Sequence, residues 1–313
     1  MTATLPAPLG SLPRTGSGVH TLPGGQSVGA LGPTGLRAAG VPGAPDCTVL
    51  TDPVRVGNGH LLAELADRAV AGRHTLLVGP EGVGKTRLLE ALARVAEGNT
   101  VVLDGDAQRR ARRATVAMPQ GSGRAFTLVY VAEAGPPSRL VGALTEAFHA
   151  LGVLALPGIP PAMRAGACAE LDAAEVRKLL RTTADREAAV IESLTDLAAG
   201  GRAPRLLLAL DGLDRVGPSQ GLFLRELQRR ATVLGAVRSV PAGRALRTFF
   251  ATFGQIPVEP LAPHHAGALF DYFLARYGVA CADPRHYRRE VLRRAEGNPA
   301  ILRAMMHDGA QAQ

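Results

Sequence analysis

The stretch Gly79-Pro80-Glu81-Gly82-Val83-Gly84-Lys85-Thr86 limits what this chain can fold into more than any other. Its glycines let the backbone turn tightly enough for successive N–H groups to converge on one anion, and a helix starting at the lysine adds the positive end of its dipole. The flanks suit that geometry. Residues 74–78 are an apolar run of strand length, and residues 86–95 space their apolar side chains along one helical face. Strand, glycine turn and helix in that order describe a phosphate-cradling P-loop. Lys85 is then placed to neutralise the β- and γ-phosphates of a nucleotide, and the Thr86 hydroxyl to ligate Mg2+. Lysine is otherwise scarce. Of 35 basic residues only Lys85 and Lys178 are lysines, so a chance match to the loop pattern is on the order of a few in a thousand.

Further short apolar runs stand at 100–103, 127–131, 205–210, 232–237 and 255–258, with helical spacing at 61–71, 140–151 and 171–199. Strands alternating with helices predict a three-layer α/β fold, a P-loop NTPase core whose parallel sheet is covered on both faces. After Pro263 the pattern changes to helices at 264–277, 284–295 and 299–306, which predicts a C-terminal helical lid. Residues 1–45 hold seven prolines, ten glycines and no acidic residue. Such a segment cannot bury enough apolar surface to offset its ordering entropy, so a disordered tail is expected. The expected organisation is a tail at 1–45, an α/β core at 46–261 and a lid at 262–313.

A magnesium site needs a second anchor. The apolar run ending in Asp211 supplies a carboxylate at a strand terminus, the candidate Walker B acid that holds Mg2+ directly or through water. Many fast ATPases follow that aspartate with a glutamate that polarises water; here Gly212 takes the position, and Asp214 is the next carboxylate. Slow hydrolysis follows from that substitution.

The segment Asp211-Gly212-Leu213-Asp214 resembles the second acidic motif of the STAND class of signalling ATPases, relatives of the AAA+ ATPases. Other segments are similar in order and spacing over residues 52–308. Val56-Gly57-Asn58 sits where the class has a hydrophobic-Gly-Arg motif near the adenine, with Asn58 in place of arginine. Arg238 occupies the position of the arginine that ends the fourth strand and senses the γ-phosphate. Residues 256–263 resemble the Pro-Leu junction into the lid, and Gly297-Asn298-Pro299 the Gly-x-Pro motif with which the lid reaches back toward the nucleotide. The resemblance implies ATP and Mg2+ as cofactors and weak or partner-stimulated ATP hydrolysis. It implies a role as a nucleotide-dependent switch or assembly regulator, working with ATP/ADP, further copies of the chain and a protein or nucleic-acid partner. Lys85, Asp211, Asp214 and Arg238 are then the catalytic candidates. Residues 79–86, Arg87, Asn58 and Pro299 would contact the nucleotide, with Thr86 and Asp211 holding the metal.

Two other readings share the loop. A DNA-associated AAA+ ATPase of the transposition-regulator kind would use the net charge of +8, the run Arg109-Arg110-Ala111-Arg112-Arg113 and the pairs Arg288-Arg289 and Arg293-Arg294 against phosphates. A small-molecule kinase would need an acceptor pocket that the sequence does not reveal. Arg229, Arg230 and Arg247 are candidate arginine fingers across a subunit boundary. His264 and His265, adjacent on a helix, are expected to point to different faces and hold no metal. Cys47, Cys168 and Cys281 lack metal-ligand spacing and fit a reducing cytoplasm. No apolar run approaches the roughly 18 residues that span a bilayer, so a cytoplasmic protein without a membrane partner is expected.

Overall fold

A computed structural model describes residues 57–96, 101–104, 113–116, 126–131, 134, 137–199, 205–240, 244–279, 281 and 283–311. The tail, Cys47, Val56 and the arginines at 109–112 lie outside the described residues. In chain order the elements are α1 (Gly59–Val70), β1 (Thr75–Val78), α2 (Lys85–Ala96), β2 (Val101–Asp104), β3 (Arg113–Val116), β4 (Phe126–Val131) and α3 (Pro137–Ala150). Then follow α4 (Arg164–Glu170), α5 (Ala173–Leu179), α6 (Thr183–Ala199), β5 (Arg205–Asp211), α7 (Gly221–Arg230), β6 (Thr232–Val237), α8 (Arg244–Phe250) and β7 (Gly254–Pro257). Helices α9 (Pro263–Tyr277), α10 (Pro284–Ala295) and α11 (Pro299–Gln311) come last.

Five strands form one sheet in the order β4-β5-β6-β1-β7, and its pairings are parallel. Alternation along β5 shows why both faces are covered. Leu206, Leu208 and Leu210 join the core under α3, α6, α7 and α8, whereas Leu207 and Ala209 join the core under α1 and α2. Asp211 continues the second register, so its side chain leaves the strand on the α2 side. Across the sheet Asp211 is level with Ala236 of β6, and Ala236 with Leu77 of β1. The loop after β1 and the carboxylate ending β5 therefore meet at one edge.

One expectation is corrected. The run at 100–103 does not enter the parallel sheet; β2 pairs antiparallel with β3 in a separate two-stranded sheet. A parallel neighbour needs a helical crossover of about a dozen residues or more. About eight residues connect β2 to β3, too few for such a crossover, and the strand pairs antiparallel with the next strand along the chain. The segment 171–199 divides into α5 and α6 because it carries two N-caps. Asp172 and Glu175 form a reciprocal capping box at α5. At α6, Thr182 N–H donates to Asp185 at 2.8 Å and Asp185 N–H donates to the Thr182 hydroxyl at 3.0 Å. Helix α4 is fastened to α6 by Arg164, only 4% exposed, which pairs with Glu192 at 2.7 Å and with Asp196.

Helices α9–α11 have a core of their own, including Leu269, Phe270, Val291, Leu302 and Met306. Proline opens all three, where its missing N–H costs no helical bond.

Gly235 lies where β6 passes between β1 and the turn after β5. A Cβ there would stand 2.5 Å from Leu213 Cδ1 and 2.8 Å from Leu76 Cδ2, both on fully buried side chains. Gly235→Ala is expected to destabilise the protein by about 1–3 kcal/mol through overpacking. Urea unfolding measures this, and an unchanged midpoint would mean that the sheet packs differently here.

Candidate nucleotide-binding site

The loop after β1 has the strained backbone that its glycines permit, with φ of +83° at Gly82 and +103° at Gly84. Val83 between them is fully buried in the α1/α2 core and pins the loop from below. Lys85, the first residue of α2, is 9% exposed, and its ammonium donates to the carbonyls of Gly79 at 2.7 Å and Pro80 at 2.6 Å. Burial lowers its pKa from the ordinary lysine value. The charges of Asp211, Asp214 and Glu81 oppose that shift.

One helical residue further, the Thr86 hydroxyl donates to Asp211 Oδ2 at 2.5 Å. Burial raises the Asp211 carboxyl above the usual carboxylate range, against the hydrogen bonds it accepts from Thr86 and the Gly212 N–H and the attraction of Lys85 and Arg215. A desolvated carboxylate beside a hydroxyl suits a hard cation that takes oxygen ligands. Neighbouring ligands of an octahedral Mg2+ lie about 3 Å apart, from metal–oxygen distances of about 2.1 Å, so these two oxygens could share one ion after a small separation.

After Asp211 the chain turns through Gly212 in the left-handed region, and Leu213–Arg215 form a short 3-10 turn. Leu213 is buried as a plug, which directs Asp214 toward the end of β6. There Arg238 Nε donates to Asp214 Oδ2 at 2.7 Å, and Arg238 Nη1 lies 3.7 Å from Glu81 Oε2. Arg238 thus joins the acidic motif to the glycine loop. Asn58 stands just before α1, and its amide nitrogen would be 3.8 Å from a Cβ at Gly84. Arg87 points elsewhere and pairs with Glu90 at 2.8 Å.

The lid meets the same loop. Asn298 Nδ2 donates to the Glu81 carbonyl at 2.8 Å, and the Ala300 N–H donates to the Gly82 carbonyl at 3.2 Å. Pro299 opens α11 beside them. Sequence reasoning gave Pro299 as the nucleotide contact and the loop at Asn298 as a point of lid closure, but not the bond of the Asn298 side chain to the glycine loop. It also missed Tyr130, whose strand neighbour is Ala209 and whose buried hydroxyl has no hydrogen-bond partner among the described residues. Burial, then the charges of Asp211 and Glu90, push that hydroxyl well above the usual tyrosine range.

The arginine-finger candidates stand apart from this cluster. Arg229 pairs with Glu226 at 2.5 Å, Arg230 pairs with Glu226 and the Thr195 hydroxyl, and Arg247 is exposed on α8. His264 and His265 do not diverge as expected, since their ring centroids lie 3.9 Å apart.

A parallel α/β sheet with a glycine loop, a buried lysine and a threonine–aspartate pair at one edge defines a P-loop ATPase. The chain matches the AAA ATPase domain over residues 59–240 and belongs to that family. Among solved structures it is similar to C. elegans PCH-2, at 13% identity and a TM-score of 0.41, over 85% of this chain and 69% of that one. No curated protein matches the chain.

Asp211→Asn keeps an acceptor for Thr86 but removes a half-buried charge. Because the folded-state carboxyl pKa is raised, the ionised form costs stability at neutral pH. The variant is expected to melt no lower than the wild type while phosphate release falls on the order of 100-fold. Melting curves and a phosphate assay check both, and unchanged turnover would remove Asp211 from the site.

Proposed function

We propose that this chain is an ATP-dependent switch of the STAND type, which binds Mg-ATP between its α/β core and the helical segment at 262–313 and hydrolyses it slowly. The observation that carries this reading is the approach of Lys85 and Thr86, at the start of α2, and Asp211, at a distant strand end, to one spot at the sheet edge. Lys85 would exchange its two loop carbonyls for phosphate oxygens. Thr86 and Asp211 would hold Mg2+, which supplies charge neutralisation on the phosphates when bound.

Slow turnover is supported by what surrounds Asp211. Gly212 offers no carboxylate to accept a proton from water, and Asp214 is engaged by Arg238. Hydrolysis, with water adding to the γ-phosphorus as ADP leaves, would then rely on positioning and charge more than on a strong general base. Arg238, which pairs with Asp214 and Glu81, would turn toward the γ-phosphate. That change would separate the ATP state from the ADP state, and the output would be assembly of further copies or binding of a partner. A cytoplasmic location accords with this role, and no described helix is long and apolar enough to cross a membrane.

The DNA-associated reading draws less support from the described arginines of α10. Arg288 pairs with Asp271, and Arg293 and Arg294 share Glu290, which compensates part of the charge that a phosphate backbone would meet.

Lys85→Ala is expected to weaken ATP binding by at least about 100-fold, since charge-assisted hydrogen bonds contribute about 1.5–3 kcal/mol each. Equilibrium binding of a fluorescent ATP analogue measures this, and wild-type affinity in the variant would refute the proposed site. A non-hydrolysable ATP analogue, but not ADP, is expected to change the mass in solution or the protease pattern of the wild type. Identical behaviour with both nucleotides would refute the switch.

A further inference from the structure

The amide of Asn298 makes bonds in two directions. Its Oδ1 accepts from the N–H groups of Ala300 at 3.0 Å and Ile301 at 3.3 Å, which caps the N-terminus of α11. Its Nδ2 donates 2.8 Å into the glycine loop, to the Glu81 carbonyl, and the capped helix adds the Ala300 N–H to the Gly82 carbonyl. The fit is close. A Cβ on Gly82 would lie 2.5 Å from Asn298 Oδ1 and 2.8 Å from the Ala300 Cβ.

In a planar trans peptide the carbonyl and the following N–H point in opposite directions. Holding the Glu81 carbonyl toward α11 therefore turns the Gly82 N–H away from it, and holding the Gly82 carbonyl does the same for the Val83 N–H. In a loop of this kind the N–H groups on the concave side receive phosphate. Helix α11 thus fixes two peptide planes of the nest from outside.

We infer that Asn298 is a positioning residue, which sets the phosphate loop in its binding geometry through the Glu81 and Gly82 carbonyls and so couples the α9–α11 segment to nucleotide affinity. The inference rests on the nucleotide site proposed above and adds a residue and a route of regulation to it. Coupling of this kind is reciprocal: whatever moves α11 changes the hold on phosphate, and bound phosphate steadies α11 by the same factor.

The test separates capping from gripping in the full-length chain. Serine caps helices nearly as well as asparagine but is too short to bridge to Glu81, and aspartate caps well while lacking the amide donor. Asn298→Ser and Asn298→Asp are expected to melt within about 2 °C of the wild type, because the cap survives. Their Kd for Mg-ATP is expected to rise about 2- to 10-fold, the worth of one neutral hydrogen bond. Asn298→Ala should show the same affinity loss together with a lower melting temperature. In the wild type, saturating Mg-ATP should slow proteolytic cleavage within residues 263–311, and in Asn298→Ser that protection should shrink.

Wild-type affinity and wild-type protection in Asn298→Ser and Asn298→Asp would overturn the inference and leave the nucleotide site standing. So would an affinity loss confined to Asn298→Ala, which would mark Asn298 as a cap and nothing more. Absence of Mg-ATP binding by the wild type itself would overturn the site and this inference together.

Discussion

Everything at the sheet edge depends on a hydroxyl and a carboxylate 125 residues apart in sequence meeting at 2.5 Å. No local preference brings Thr86 and Asp211 together. Their meeting requires β5 to lie one strand beyond β6, so that its end is level with the glycine loop, and requires Asp211 to fall in the same alternation as Leu207 and Ala209. A register slip of one residue would send the carboxylate to the opposite face of the sheet. The two apolar cores that flank β5 hold that register, and the chemistry of the site follows from their packing.

Around that contact the charges are arranged in opposition. Lys85 and Asp211 are both pulled toward neutrality by burial, and the charge of each opposes that shift in the other. Arg238 lies between Asp214 and Glu81, and Asn298 ties the Glu81 carbonyl to α11. Such a site is rich in fixed dipoles that converge on one spot, an arrangement from which a triphosphate and its metal gain at each contact. The loop, the acidic turn and α11 share hydrogen bonds, so a change at one of them reaches the others without a long relay.

Much of this was legible in the sequence, for specific reasons. A P-loop must sit between a strand and a helix, which fixes Gly79, Lys85 and Thr86 on sight. A strand that ends in aspartate announces itself through its apolar run, and Arg238, at the end of β6, was singled out by the family resemblance. Helices expected from Pro284 and Pro299 onward are α10 and α11, whereas the caps that divide 171–199 into α5 and α6 went unread. What escaped was tertiary. The four residues of β2 read as a parallel strand because β-propensity does not specify a partner. The bond from Asn298 to Glu81 spans 217 residues and leaves no periodic trace. Tyr130 looks like an ordinary strand aromatic until its neighbour on β5 is known.

The account is tested most directly by a double-mutant cycle between Thr86→Val and Asp211→Asn, read as ATP affinity with and without Mg2+. If the two oxygens share one ion, the two losses overlap: in Mg2+ the double variant should be little weaker than either single one, a coupling of about 1 kcal/mol or more, and without Mg2+ the coupling should largely vanish. Strictly additive losses, or the same coupling without Mg2+, would contradict a metal held between α2 and β5.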